Sequence, residues 1–308
     1  MFVEHLCVRE AKSRRDGEVK ADPGIIRVGI VGWTYESWRG VFYPPGLKHE
    51  DELAYAASHL RTIEITGTFY GMQRPEAFES WAHQVSADFV FAVKGPRYIT
   101  HILRLRDAQV PLANFIASGL LRLGIHLGPI LWQLPSNFRF DRNRIEPFLR
   151  MLPHDTGAAV ALGRKHDNTL RAPAWLEIEA RRPMRHAFEV QHESFRCQEF
   201  IDMLRARDVA VVCADAQRSP NLMDITSDFV YCRLHGPAEL YPNGYDNSAL
   251  DEWATRINAW ARGEELLDAN LVGRKARKRR RDVFVFFDND KKVRAPANAM
   301  ELIRRLRS

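Results

Sequence analysis

No stretch of this 308-residue chain approaches the roughly 18 consecutive apolar residues of a membrane-spanning helix, which argues against helical membrane insertion. The opening MFVEHLCVREAKSRRDGEVKADPG has neither an apolar h-region nor a small-residue cleavage site, so residues 1–24 read as a disordered lead into a cytoplasmic protein. Cysteine is scarce: Cys7, Cys197, Cys213 and Cys232 form no C-x-x-C, and Cys213 and Cys232 fall inside apolar runs. Buried reduced thiols are therefore expected, not disulfides or a zinc site. The chain contains no G-x-G-x-x-G and no P-loop, the usual fingerprints of dinucleotide and nucleoside-triphosphate sites. It also lacks H-E-x-x-H and H-x-x-x-H, so its histidines carry no metal-binding spacing.

What is present suits a large soluble core, with 45% hydrophobic and 27% charged residues. The net charge of +6 invites a nucleic-acid reading, but its source is local. Arg274 to Arg281 carries 7 positive charges and no acid, and subtracting them leaves −1 for the rest of the chain. Any nucleic-acid contact is thus expected at this run, which has no apolar periodicity and reads as an exposed loop dispensable for folding.

Eight extended apolar runs stand out, at 26–33, 62–66, 89–95, 129–135, 186–193, 209–215, 229–236 and 283–290. Segments of helical periodicity separate most of them, and PANAMELIRRLR follows the last. Pro75 and Pro296 sit near helix starts, Asp141 and Asn247 are candidate N-caps, and AQRSPNLMDITSD after the sixth run shows no clear helix. Strand and helix alternating eight times predicts a single-domain TIM-like (β/α)8 barrel over 25–308. Two stretches exceed what it needs, 153–185 before strand 5 and 264–282 before strand 8, and each is expected at the N-terminal rim or along the wall, away from the C-terminal face.

FVYCRLHG, Phe229 to Gly236, is apolar throughout on one face and on the other places Tyr231, Arg233 and His235 at period two. If each strand's inward face is the one holding its polar residue, the ends read Trp33, Glu64, Lys94, Gln133, Glu189 with Gln191, Asp215, Arg233 with His235, and Asp288. Such a rim is expensive in a purely structural barrel, because each buried charge costs several kcal/mol unless paired. Glu64, Glu189, His192, Asp215, His235 and Asp288 are therefore the candidate catalytic residues. Trp33, Tyr70, Lys94, Arg97, Gln133, Arg233, Tyr245 and Asn289 are the candidates for binding substrate. A buried Arg233 needs a carboxylate, and Glu189 is the nearest by depth. The apolar neighbours Phe91 and Val93 point away from Lys94, so anion contact is expected there before a lowered amine pKa. Trp33, Tyr35, Phe69, Tyr70, Tyr241 and Tyr245 lie just past strand ends and suit a pocket lining or core packing alike. His101, His192 and His235 with the four carboxylates offer ligands of the right chemistry for a divalent metal, without a spacing that specifies one.

GWTYESWRGVFYPPGL, EITGTFYGM, FAVKGPRYITH, LWQLPSNFRFD, AFEVQHESF, ITSDFVYCRLHG and FVFFDND, in this order, resemble the signature blocks of the YecE-like family, the domain of unknown function seventy-two. The resemblance covers Ile26 to Leu306 and implies a TIM-barrel-like fold but no reaction. It matches Glu64, Tyr70, Lys94, Gln133, Glu189, His192, Arg233, His235, Gly236, Asp288 and Asn289 to motif positions. The chain departs from the pattern at Ile30-Val31, where Thr-Ser is usual, and at Gln191, where an Arg is common.

The leading expectation is a cytoplasmic barrel enzyme that holds a small polar, anionic substrate and hydrolyses it by acid/base or metal-assisted chemistry, a phosphoester being the natural class. The alternatives are a Schiff-base lyase or aldolase built on Lys94, and a non-catalytic nucleic-acid-associated protein using Arg274 to Arg281.

Overall fold

The runs of β-branched and aromatic residues close on themselves. The strands are β1 (Ile26–Val31), β2 (Thr62–Ile65), β3 (Val90–Lys94), β4 (Leu127–Gln133), β5 (His186–Glu189), β6 (Ala210–Asp215), β7 (Phe229–Leu234) and β8 (Asp282–Phe287). All neighbours are parallel, and β8 returns to β1, giving a closed eight-stranded barrel. The computed structural model describes residues 23–307 except 171, 218, 237–243, 265, 267, 268, 270 and 290–292. Cys7, Tyr241 and residues 1–22 of the expected lead lie outside the described residues.

The helices are α1 (Glu52–His59), α2 (Gly67–Tyr70), α3 (Pro75–His83), α4 (Gln109–Ala117), α5 (Arg142–Met151), α6 (Thr156–Gly163), α7 (Gln198–Arg205), α8 (Asn247–Arg262) and α9 (Arg294–Arg307). Asp141 caps α5 by accepting the Asn143 N–H, as expected, but α8 is capped by Asp246, whose carboxylate accepts the Ala249 N–H. Asn247 is the first helical residue instead. The unpredicted α6 lies within the 153–185 insertion and has almost no polar face, which is why its periodicity was invisible. Between β6 and β7 no helix forms among the described residues, and Thr226 instead closes the gap by donating to Val209 O and accepting the Val211 N–H.

The outward faces pack under the helices in one continuous apolar shell that includes Cys213 and Cys232, both free thiols. The lumen is filled by a second, smaller set: Val31, Ala92, Leu131, Ala187, Ala210, Val212, Ala214, Phe229, Tyr231, Phe284 and Phe286. This parity corrects one expectation. Ala210, Val212 and Ala214 are the lumen residues of β6, so Asp215 belongs to the opposite face of its strand. At Gly29 a side chain would meet the Thr62 carbonyl oxygen at 1.7 Å, so only glycine lets β1 lie this close to β2.

The basic run is also more folded than its composition suggests. Arg281 is 4% exposed, and its guanidinium donates to Arg279 O (2.7 Å), Arg277 O (2.8 Å) and Ser227 O (3.3 Å). Arg274, Lys275, Arg277, Lys278, Arg279 and Arg280 are exposed as expected, but Arg281 is a packed anchor that ties the loop to the strand ends.

His186, at the start of β5, is wholly enclosed. Trp132 Nε1–H donates to its Nδ1 (3.2 Å), so Nε2 carries the proton and donates to Pro153 O (2.8 Å). Burial pushes its pKa down to about 4 against the pull of the Pro153 carbonyl. With a folded value below the unfolded one of about 6.5, this imidazole's contribution is fully present above that pH and is lost as pH falls toward the folded value. Urea unfolding is expected to show about 3 kcal/mol of stability lost over this window, and a flat wild-type profile from neutral to mildly acidic pH would contradict the assignment. His186→Gln starts less stable and loses most of the slope.

Candidate active site

β7 delivers Tyr231, Arg233 and His235 along one face, and Arg233 is 1% exposed. Its guanidinium reaches across the lumen to β2, where Nε donates to Glu64 Oε2 (3.0 Å) and Nη2 to Glu64 Oε1 (3.2 Å). Nη1 donates to Glu189 Oε2 (2.9 Å) and Nη2 also to Asp288 Oδ2 (2.7 Å). The Tyr231 hydroxyl donates to Glu64 Oε2 (2.9 Å), and Gln133 Nε2 donates to Glu189 Oε1 (2.9 Å). Alanines at 92, 187 and 214 on the intervening strands leave the room this lattice needs.

Burial alone would lower the Arg233 pKa, but Glu189, Glu64 and Asp288 together raise it well above its ordinary value. Burial pushes the Glu189 carboxyl up, yet Arg233, then His235 and Lys94, hold it below the usual range. The Tyr231 phenol is driven well above its ordinary value by burial and by Glu64. A buried ionic lattice is rarely more stable than apolar residues of the same volume, so fold stability does not account for it.

His235 is 27% exposed and joins two members of the lattice. Its Nε2 lies 3.3 Å from Arg233 Nη1 and its Nδ1 lies 3.2 Å from Asp288 Oδ2. Arginine only donates, so in this pose Nε2 accepts and Nδ1 holds the proton facing Asp288. Asp288, 26% exposed, keeps Oδ1 clear of protein partners among the described residues.

Lys94, at the inward end of β3, behaves differently from the other charges. Its ammonium sits 4.4 Å above the Phe69 ring and has no hydrogen bond or ion pair among the described residues. Burial lowers its pKa, Arg233 adds to this, and Glu64, Glu189 and Asp288 only partly offset it. The lowering has a source that strand parity does not show. The apolar neighbour comes from α2 beyond β2, not from Lys94's own strand, and His101 stands edge-on to the same ring at 5.1 Å. His101 is itself held below the ordinary histidine value by burial, Lys94, Arg97 and Arg104.

Glu64, Lys94, Gln133, Glu189, Arg233, His235 and Asp288 therefore share one mouth. Other candidates sit elsewhere. Asp215 accepts the Tyr245 hydroxyl proton (2.7 Å), and Tyr245 is buried edge-on to Phe287, so both are part of the packing outside the lumen. Trp33 meets Trp81 edge-to-face at 5.5 Å and lines a cavity of about 370 Å³ with Thr66, Ser80 and Gln84. Tyr70 is 82% exposed and Arg97 is exposed at the rim. His192 accepts the Ser194 N–H on its Nδ1 (3.1 Å), capping a short turn. Asn289 donates to Asn298 Oδ1 (2.9 Å) on α9, while its own Oδ1 is buried without a partner. Gln191 donates to Leu134 O (3.1 Å), and Val31 points into the lumen, so the two departures from the family pattern leave no cation and no hydroxyl at these places. Tyr231 was not among the candidates, although its parity with Arg233 was the signal. Among the described residues no three His, Cys, Asp or Glu side chains converge as metal ligands, because Arg233 occupies the space between the carboxylates. The metal-assisted expectation therefore does not fit this donor set.

The family model described as "Protein of unknown function DUF72" matches residues 27–308. The chain belongs to the DUF72 family. Within DUF72, the Bacillus subtilis "UPF0759 protein YunF" is 24% identical over 302 residues, covering 92% of this chain and 95% of that protein. The Escherichia coli "UPF0759 protein YecE" is 27% identical over 114 residues, only 37% of this chain and 39% of its own length. A DUF72 structure from Thermotoga maritima superposes with a TM-score of 0.67 at 23% identity, over 92% of this chain and 100% of that one. Another from Enterococcus faecalis gives 0.62 at 16% identity, over 92% and 98%. These likenesses establish the barrel fold for DUF72 and state no reaction. No helix among the described residues is long and apolar enough to cross a membrane.

Proposed function

We propose that this protein is an enzyme that binds a small anionic substrate at the C-terminal mouth of the barrel and hydrolyses it, a phosphoester being the class that fits. The observation that carries this reading is Lys94, a half-buried amine with three donors and no protein acceptor among the described residues. Its ammonium opens toward the mouth beside the bonded lattice, so an anionic acceptor entering from outside can take up its donors. Phosphate supplies several acceptor oxygens and a compensating charge, and Arg97 adds a second cation at the rim. Asp288 and His235 stand nearby as the proton-transferring pair, with His235 able to take a proton on Nε2 once Arg233 Nη1 releases it.

Inorganic phosphate is the direct probe. It is expected to raise the Tm of the wild type and to leave Lys94→Met unmoved; equal shifts in both proteins would remove Lys94 from the site. Phosphomonoester and phosphodiester panels then separate the hydrolase subclasses. The lowered amine pKa favours a second reading, in which Lys94 forms a Schiff base with a carbonyl substrate. Borohydride in the presence of small aldehydes and keto acids separates the two, since a stable mass adduct on Lys94 supports the lyase and rejects the hydrolase.

A further inference from the structure

We infer that the basic run forms a second functional surface, a preshaped strap on the N-terminal pole that binds the phosphate backbone of nucleic acid independently of the mouth. Arg281 immediately precedes β8 and bonds Ser227 O just before β7, so the strap lies at the opposite ends of these strands from His235 and Asp288. The six residues of β8 separate the two surfaces by about 20 Å.

The strap is held at several points. The buried Asp224 carboxylate accepts the Val272 and Gly273 N–H groups at 3.0 and 2.7 Å, and Arg205 donates to Arg274 O at 2.6 Å. Arg281 clamps the carbonyls of Arg277 and Arg279 from inside. Gly263, at φ +75°, packs where any side chain would come within 2.4 Å of the Arg279 backbone. One cation of the run is thus consumed in shaping it, while its neighbours face outward. Arg274, Arg277, Lys278 and Arg279 are exposed, and among the described residues their side chains make no ion pair. Like charges held this close repel one another, and an ordered backbone prevents them from spreading. A linear polyanion relieves this repulsion. Nucleic acid fits better than an anionic membrane, since Ala276 is the only apolar residue of the run to enter a bilayer and guanidinium groups match phosphate oxygens two at a time. No element enters a groove, so binding is expected to ignore base sequence.

The test uses the full chain, a labelled duplex and a labelled RNA strand of about 20 nucleotides, and fluorescence anisotropy between about 50 and 200 mM salt. The wild type is expected to bind the duplex with a log–log salt slope near −4, about 0.9 for each of four phosphates, and the RNA strand with one near −3, about 0.7 for each. Changing Arg274, Arg277, Lys278 and Arg279 to Ser, with Arg281 retained, is expected to weaken binding at least tenfold and flatten the slope, with Tm unchanged. Lys94→Met is expected to bind nucleic acid like the wild type, which separates this surface from the proposed active site. The inference is overturned if the four-residue variant keeps wild-type affinity and slope, or if Lys94→Met alone abolishes binding. It also falls if the protein binds phosphatidylserine vesicles and neither nucleic acid.

Discussion

Replacing Arg233 by Met is expected to lower stability by about 5 kcal/mol or more, at or beyond the upper end for breaking a buried pair, with Tm falling by roughly 10 °C or more. The reason is the number of groups it leaves behind. Glu64 and Glu189 are buried and Asp288 is three-quarters buried, and all three donate no proton of their own to one another while ionised. Removing the guanidinium leaves three carboxylates facing each other above a lumen filled by Leu131, alanine, valine and aromatic rings, with Lys94 the remaining cation beside them. The deficit has a pH signature. Glu189 is held below its ordinary value in the folded protein, so the stability it contributes is present above the unfolded carboxyl pKa and is lost as pH falls through the folded one. In Arg233→Met the same carboxyl gains by protonation. The gap between the two proteins should therefore narrow from neutral toward mildly acidic pH, and a gap independent of pH would mean that lost packing, not uncompensated charge, dominates. His235→Gln is the comparator: it keeps a polar side chain at a partly exposed position and is expected to stay within about 1 kcal/mol of wild type. Equal destabilisation by both changes would make His235 a core residue and remove the proton-transferring pair from the proposed mechanism.

Lys94→Met is expected to act in the opposite sense on stability while abolishing ligand binding. The amine is half-buried over Phe69 without a protein partner among the described residues, and Met occupies similar volume without a charge to desolvate. Because the folded pKa lies below the unfolded one, the unfolded chain binds the proton more tightly, and the native amine costs stability at all pH values below its folded pKa. That cost disappears as pH rises through the folded value toward the unfolded value of about 10.4. The variant should consequently melt a few degrees higher at neutral pH, about 2–4 °C for each kcal/mol recovered, and the advantage should shrink in alkali. A lower Tm at neutral pH would show that Lys94 is satisfied in the native state and is not held open for a ligand. Stability traded for an open functional group is a common bargain in active sites.

The barrel was legible in the chain because its information is local. Strand parity, the spacing of eight apolar runs and the helical periodicity between them each depend on neighbours within a few residues, and a parallel sheet buried on both faces leaves few other ways to close them. The same parity put Glu64, Lys94, Gln133, Glu189, Arg233 and Asp288 at one end of the lumen. It failed at Asp215, where the polar residue sits on the helix-facing side because a tyrosine thirty positions away supplies its hydrogen bond. Three further features were decided only by tertiary contacts. Arg233 was assigned one carboxylate partner from strand depth, but the reach of a guanidinium across a lumen narrowed by alanines brings it to three. Lys94 gives no sign in the sequence of an apolar neighbour because its own strand turns its apolar residues away, whereas Phe69 from the preceding βα connection lies under its ammonium. Arg281 looked like one more surface cation because charge runs carry no periodicity, and only the meeting of the loops before β7 and β8 turned it inward onto carbonyl oxygens. In each case the deciding partner is distant in sequence, and distance in sequence is what periodicity cannot see.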